Sequence, residues 1–339
     1  MHYLITGHTG FKGSWLSLIL HMQGHTVSGI ALDPEKKSLF NQANISQVFH
    51  NDFRIDIRNK SKLSEAFSII NPDVVVHLAA QPLVRESYEI PVETFEINTI
   101  GTLNVLEATR NLADLKAILI ITTDKVYKNR NLIRGYLETD ELGGDDPYSA
   151  SKAAADLAAQ SWIKCFATIP VCIARAGNVI GGGDWSTDRV IPDLVRAYSQ
   201  NKTPLLRNPN AVRPWQHVLD CLHGYLMLID HMLYTQIGGE WNFGPLPSEI
   251  FSVHELVSRF AMIWGQQQVP WLLDVRPAVP ETDLLLLDST KSREILGWKD
   301  RLDFDTTLKW TCEWYKKGQQ ADFESITRQQ IQNFLAQNL

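Results

Sequence analysis

The 339-residue chain is short of several things, and each shortage excludes a class of function. It has four cysteines, Cys165, Cys172, Cys221 and Cys312, scattered and without a C-x-x-C pair. Such spacing offers neither a disulfide scaffold nor a zinc knuckle, and it fits the reduced thiols of a cytoplasmic protein. No apolar run approaches the roughly 18–20 residues of a membrane span. The opening Met1-His2-Tyr3-Leu4-Ile5-Thr6-Gly7 lacks the basic lead and cleavage site of a signal peptide. Basic residues form only pairs, at Lys36-Lys37 and Lys316-Lys317. With 32 Lys+Arg against 38 Asp+Glu the net charge is −6, so the footprint of a nucleic-acid binder is missing. Ten histidines include no H-E-x-x-H or similar spacing, and no metal is expected. Internal repeats and low-complexity segments are missing too.

What is present is an ordinary globular composition, 44% hydrophobic and 21% charged. This length suggests about two domains, or one large domain with an insertion. Short apolar runs alternate with amphipathic stretches through the first half. Tyr3-Leu4-Ile5, residues 26–30, a short piece at 53–55, residues 73–78, 117–121 and 171–174 read as strands. Helical stretches fall from about Phe11, over 94–112, and from Pro147. Strands separated by helices imply βαβ units, and near-continuous apolar strands imply a parallel sheet covered on both faces. The expected fold is therefore α/β, a doubly wound Rossmann-type sheet that binds ligands beyond the carboxyl ends of its strands. From about Gly181 the rhythm changes to longer loops richer in Pro, Trp and Asn, with one returning strand at 241–244. The division expected is a dinucleotide-binding unit of residues 1–180 plus about 206–246. A smaller, discontinuous substrate-binding lid covers about 181–205 and 247–339.

Residues 6–13, T-G-H-T-G-F-K-G, join the first strand to the first helix. Glycines at 7, 10 and 13 allow a tight turn and close approach of backbone to a pyrophosphate, which the helix N-terminus stabilises. Gly7, Thr9, Gly10, Phe11, Lys12 and Gly13 are thus candidate cofactor contacts. The acid that accepts a ribose 2′-OH in NAD sites is expected near Ala31, and Asp33 is the nearest. Lys12 or Lys36 could instead meet a 2′-phosphate, so NAD is favoured with NADP left open. Asp56, Ile57, Leu78, Ala79, Ala80 and Thr122 stand where the remainder of a dinucleotide lies along the sheet edge.

Tyr148 and Lys152 are four residues apart at a helix start and share one face. A lysine cation and an oxidised nicotinamide both favour the phenolate, so the Tyr148 pKa is expected to fall, giving a base suited to an alcohol proton. The glycine loop, His77-Leu78-Ala79-Ala80, Thr123 and the Tyr148/Lys152 pair resemble the extended short-chain dehydrogenase/reductase family, in its nucleotide-sugar branch. Residues 10–17, 81–85, 123–125, 175–185 and 213–218 are similar to the 4,6-dehydratases of that branch that act on CDP-linked glucose. The resemblance covers nearly the whole chain.

It implies oxidation at C4 of the sugar with NAD as hydride acceptor, Tyr148 taking the 4-OH proton and Thr123 bonding the same oxygen. Water is then lost across C5–C6, with Asp124 as the acid for the 6-OH and Lys125 as the base at C5. Hydride returns to C6 with no net redox change. A lysine base must be neutral, so burial or nearby cations are required to lower its pKa. Gln81 and Arg85 are implied near the sugar, and Asn178, Arg189 and Arg213 near the ribose and diphosphate. Trp185 and Trp215 read as packing or wall residues, not stacking platforms. A homodimer joined by a four-helix bundle is implied as well. Family members generally carry Asn at position 150 and Glu at 156, where this chain has Ala150 and Asp156. A 4-epimerase or 4-keto reductase on the same scaffold is the alternative, and a non-catalytic dinucleotide sensor a weaker one. The former lacks the acid and base of elimination, and the latter tends to lose the Tyr or Lys.

Overall fold

The structure, a computed structural model, describes residues 1–130, 132, 134–246, 250–266, 271–274, 284–320 and 322–337. Its strands are β1 (His2–Thr6), β2 (Thr26–Ala31), β3 (Phe49–Arg54), β4 (Val74–His77), β5 (Ala117–Ile121), β6 (Val171–Ala176) and β7 (Gly239–Phe243). They pair in parallel in the order β7-β6-β5-β4-β1-β2-β3. The principal helices are α1 (Phe11–Met22), α2 (Lys60–Ile70), α3 (Gly101–Thr109), α4 (Pro147–Phe166) and α5 (Val190–Ser199). They continue with α6 (Val218–Thr235), α7 (Val253–Trp264), α8 (Phe304–Gln320) and α9 (Phe323–Leu335).

Strand alternation sends successive side chains to opposite layers. Tyr3, Ile5, Val74, Val76 and Leu119 join a core with Leu16 and Leu20 of α1 and Leu222 and Leu228 of α6. Leu4, Val75, Ile118, Ile120 and Ile173 face the other way, against Leu63 and Phe67 of α2, Val105 and Leu106 of α3, and Trp162 of α4. Both faces are covered, which is why the strands read as unbroken apolar runs. This is the expected doubly wound sheet, and its strand order reverses between β1 and β4, where a ligand crevice opens.

Two elements differ from the sequence reading. β3 begins at Phe49 rather than Phe53, with half-buried and exposed residues alternating along it. The helical stretch 94–112 is broken: a short helix Pro91–Phe95 leads into a π turn, Glu96–Ile100, before α3 starts. The turn carries the buried Asn98, whose Nδ2 donates to Gln81 O at 3.1 Å and to Ser151 Oγ at 2.9 Å. A wider helical turn at a buried polar contact is a recurring device near functional sites.

Beyond β6 the chain builds a smaller layer over the strand ends. Leu205–Leu206 pairs with Leu272–Leu273, and Val212–Arg213 with Phe251–Ser252. The loop after β6 is pinned by Trp15 Nε1, which donates to Gly182 O at 2.9 Å, and by the Tyr315 hydroxyl, which donates to Asp184 O at 2.5 Å.

Candidate active site

A cleft of about 1010 Å³ runs from Ala31 and Leu32 at the end of β2, past the glycine loop and Tyr148, to Pro204 and Val253. Gly7, Thr9, Gly10, Phe11, Lys12, Gly13, Asp56, Ile57, Leu78, Ala79, Ala80 and Thr122 all line it. Gly7 turns the chain with φ 75°, and a Cβ there would lie 2.7 Å from Ala79 N. A Cβ on Gly13 would lie 2.3 Å from Gly7 O. Both positions therefore admit glycine alone, and bare backbone at the start of α1 faces the cleft with its N–H groups and partial positive charge. A dinucleotide diphosphate fits this cradle. Thr9 Oγ1 donates to Leu32 O at 3.1 Å and ties the loop to the end of β2. Behind it, Thr102 Oγ1 donates to Asn98 O and so accepts from His77 Nε2, at 2.9 Å. That leaves His77 Nδ1 to accept from Thr6 Oγ1 at 2.7 Å. Burial pushes this imidazole down to about 3, so it stays neutral and holds β1 to the start of α3.

The cofactor end brings two corrections. Asp33 does not line the cleft: its side chain is 89% exposed and pairs with Arg54 Nε at 3.3 Å. Arg54, held by Asp52 and His8, draws it outward, and Leu32 and Glu35 face the cleft instead. Nor does Lys12 point towards a 2′-phosphate. Its Nζ donates to the buried Tyr225 hydroxyl of α6 at 3.3 Å. Asp56 lines the cleft, but its carboxylate is committed to Arg58 at 2.6 Å and is held below the usual range by it.

At the catalytic end, Asp146 caps α4 by accepting from Ser149 N at 2.9 Å, with Pro147 in the first turn. This start sets Tyr148 and Lys152 facing the cleft beside the end of β5. Lys152 Nζ donates to Ile121 O at 2.9 Å. Burial brings its ammonium down to about 8, Lys12 pushes the same way, and Asp156 opposes both. Tyr148 departs from expectation: burial pushes its phenol up to about 12, against the hydrogen bond with Thr123 and the charge of Arg189. Desolvation of a phenolate outweighs what the protein's own cations return. Thr123 Oγ1 donates to Asp124 Oδ1 at 2.8 Å. Asp124 is fully buried and raised by desolvation, and its Oδ2 has no hydrogen-bond partner among the described residues. Lys125 follows, half-buried, on the same wall. Asp156, the shorter acid at its position, still reaches Arg175 at 2.8 Å and accepts from Thr122 Oγ1 at 3.1 Å.

The predicted substrate residues Gln81, Arg85, Asn178, Arg189 and Arg213 also line the cleft. Gln81 is engaged locally, its Nε2 donating to Thr94 Oγ1 at 3.1 Å and its Oε1 accepting from Leu83 N. Arg189 pairs with Asp184 at 2.9 Å, and Arg213 Nη1 donates to Val212 O at 2.9 Å. Trp215 is a cleft wall, and Trp185 packs outside the cleft against Tyr315, with Lys37 Nζ 3.6 Å from its ring centroid, both within the expectation of packing or wall residues. Asp188, Arg207 and Asn208 line the cleft without having been singled out from sequence. They carry no motif, and only the folding of the smaller layer brings them there. Among the described residues no cluster of His, Cys, Asp and Glu could hold a metal ion. None of the described helices is long and apolar enough to cross a membrane.

Comparison with known proteins agrees with this geometry. The family model described as GDP-mannose 4,6 dehydratase matches residues 4–311. A CDP-glucose 4,6-dehydratase from Salmonella typhimurium strain LT2 is 41% identical over 324 residues, 92% of this chain and 89% of that protein. A dTDP-glucose 4,6-dehydratase from Haemophilus influenzae is 26% identical, covering 93% of this chain and 98% of that one. Among solved structures, dTDP-glucose 4,6-dehydratase from Bacillus anthracis in complex with NAD superposes with a TM-score of 0.81 at 22% identity, over 94% of this chain and 98% of that one. With the family model and the Salmonella relative each spanning most of its length, the chain belongs to the GDP-mannose 4,6 dehydratase family, within the nucleotide-sugar branch of the extended short-chain dehydrogenases/reductases.

Proposed function

We propose that the protein is a nucleotide-sugar 4,6-dehydratase that converts CDP-D-glucose to CDP-4-dehydro-6-deoxy-D-glucose and water. One observation carries the reading: a buried acid, Asp124, and a lysine, Lys125, share one cleft wall with Thr123, Tyr148 and Lys152. Oxidation and reduction at C4 need the tyrosine and lysine alone, whereas loss of water across C5–C6 needs a further acid and base. The 41% identity to a CDP-glucose enzyme supports the base and the hexose.

The glycine loop, Ile57, residues 78–80, Thr122 and Lys152 are the residues that would hold NAD. Bound there, NAD supplies a reversible hydride acceptor and, when oxidised, a positive charge beside the phenol. Tyr148 takes the proton of the sugar 4-OH, with Thr123 bonding the same oxygen. Lys152, a cation below about pH 8, favours the phenolate. The 4-ketone acidifies the C5 proton, which Lys125 removes. Burial raises the Asp124 pKa and so favours its protonated form, the one able to deliver a proton to the departing 6-OH. Asn178, Arg189 and Arg213 bind the ribose and diphosphate, and Arg85 stands at the sugar end.

The same reading makes residues 1–180 and about 206–246 the cofactor unit, with the remainder the substrate lid of a cytoplasmic enzyme. Val92, Ile100 and Leu157 are 71, 51 and 53% exposed along the segment 91–100 and α4. An apolar face of this kind suits pairing with a second copy through four helices. The test of function is incubation of the purified protein and NAD with CDP-, dTDP-, GDP- and UDP-glucose, following the absorbance of the 4-keto product in alkali. Turnover of CDP-glucose above the others is expected, and turnover of none would overturn the proposal.

A further inference from the structure

Asp188 sits between the loop after β6 and the start of α5, in the left-handed region at φ 60°. Its Oδ1 accepts from two arginines that arrive from opposite sides of the cleft. Arg85 Nη1, on the short helix Val84–Glu89, and Arg207 Nη1, just after the strand Leu205–Leu206, each donate at 3.2 Å. Arg207 Nη2 also donates to Asp188 O at 3.0 Å. All three residues line the cleft. Both guanidinium groups thus meet on one carboxylate oxygen. Both contacts are long for charge-assisted bonds, which ordinarily measure about 2.7–2.9 Å. Elsewhere in this chain Arg189–Asp184 closes to 2.9 Å and Arg293–Asp300 to 2.6 Å. The Asp188 cluster is therefore a loose crossing of the cleft, held at a residue in a sparsely populated backbone conformation. Such conformations persist where the surroundings impose them, often at ligand clamps.

We propose that Asp188 is an exchangeable internal anion: Arg85 and Arg207 hold it until the diphosphate of the incoming nucleotide sugar takes its place. Arg207 then binds the phosphate oxygens in the bidentate manner its fork allows, and Arg85 is released towards the sugar. Asp188 thereby keeps two arginines extended across the cleft, at the cost of competing with the substrate for them. This rests on the nucleotide-sugar reading above.

Asparagine has nearly the shape of aspartate and tolerates left-handed backbone, so Asp188→Asn removes the charge alone. Asp188→Gly, also at ease at that φ, serves as the second variant. The experiment is calorimetric titration of CDP into the native protein, both variants, Arg207→Met and the double variant Asp188→Asn/Arg207→Met, at two salt concentrations. Asp188→Asn and Asp188→Gly are expected to bind CDP about fivefold more tightly than the native chain, the gain shrinking at high salt. Arg207→Met is expected to bind it about tenfold more weakly. In the double variant the gain from Asp188→Asn should vanish, because the arginine it released is gone. Equal or weaker binding by both Asp188 variants overturns the exchange, as does an Arg207→Met protein that binds CDP like the native one. CDP-glucose turnover by the native protein is measured alongside. If it turns over while the Asp188 variants gain nothing, only the exchange fails. A native protein that neither binds CDP nor turns over CDP-glucose removes the dehydratase reading, and the exchange with it.

Discussion

Asp124 and Tyr148 are both buried, and burial pushes both pKa values up, with different consequences. For Asp124 a raised pKa suits the proposed acid step, which needs a proton to give. For Tyr148 the same desolvation is an obstacle, since a phenol pushed up to about 12 must lose its proton to act as a base. The hydrogen bond with Thr123 and the charge of Arg189 reduce that obstacle without removing it, so the base form depends on further positive charge entering the cleft. Asp124→Asn keeps the shape and loses the proton. It is expected to lower the rate of 4-keto product formation at least about 100-fold, with CDP binding by calorimetry unchanged. Tyr148→Phe should cost about 10²–10⁴ in kcat. The readout is the same alkaline absorbance, and a Tyr148→Phe enzyme of native rate would remove the tyrosine from the proposed chemistry.

Among the elements, the β1–α1 junction has the least freedom. Gly7 combines positive φ with a Cβ position already taken by Ala79 N. Gly7→Ala must strain the turn and push β4's exit away. A loss of about 2 kcal/mol in unfolding free energy is expected, together with weaker NAD binding, measurable by urea denaturation and by calorimetry. The start of α6 offers a test by pH. Asp220 accepts from Arg301 N at 2.7 Å, but its Oδ2 has no partner among the described residues, and burial pushes the carboxyl up to about 8, with Asp300 adding to the rise. The native chain thus keeps a proton that the unfolded chain releases near pH 4. Its stabilising contribution is complete below that pH, declines through neutrality and is spent above about 8. Between pH 5 and 8.5 the native Tm should therefore fall more steeply than that of Asp220→Asn, which has no proton to lose. Parallel Tm curves for the two would show that Asp220 is already charged at neutral pH.

For the whole molecule, the net charge of −6 gives no hint that one cleft gathers eight cations, Lys12, Arg58, Arg85, Lys125, Lys152, Arg189, Arg207 and Arg213, interleaved with nine acidic residues. An acidic chain can receive anionic ligands because these cations converge from segments far apart in sequence, with partners such as Asp56, Asp184 and Asp188 spacing them. The exposed apolar face of residues 91–100 and α4 is the other feature visible only at this scale. Light scattering is expected to give about twice the 38.4 kDa of one chain. Val92→Glu/Leu157→Glu should return it to one chain by placing charge on that face; a native protein scattering as 38.4 kDa would exclude the pairing.

Local residues determined much of this. The apolar runs fix a parallel sheet because strands buried on both faces can read no other way. The glycine spacing fixes the turn into α1, because neither Gly7 nor Gly13 has room for a Cβ. A four-residue separation fixes Tyr148 and Lys152 on one helical face. What the sequence could not decide depends on partners distant in the chain. Asp33, the acid nearest the expected position, turned to solvent beside Arg54, and Lys12 reached across to Tyr225. The Tyr148 pKa rose because the packed layers around it exclude water, a property no neighbour in sequence reveals. Arg207 reached the cleft only because the smaller layer folds back over the strand ends, and Asp188 met both of its arginines there. Periodicity and backbone sterics act over a few residues and are legible in order along the chain. Burial and charge pairing act through space, and only the folded chain supplies those distances.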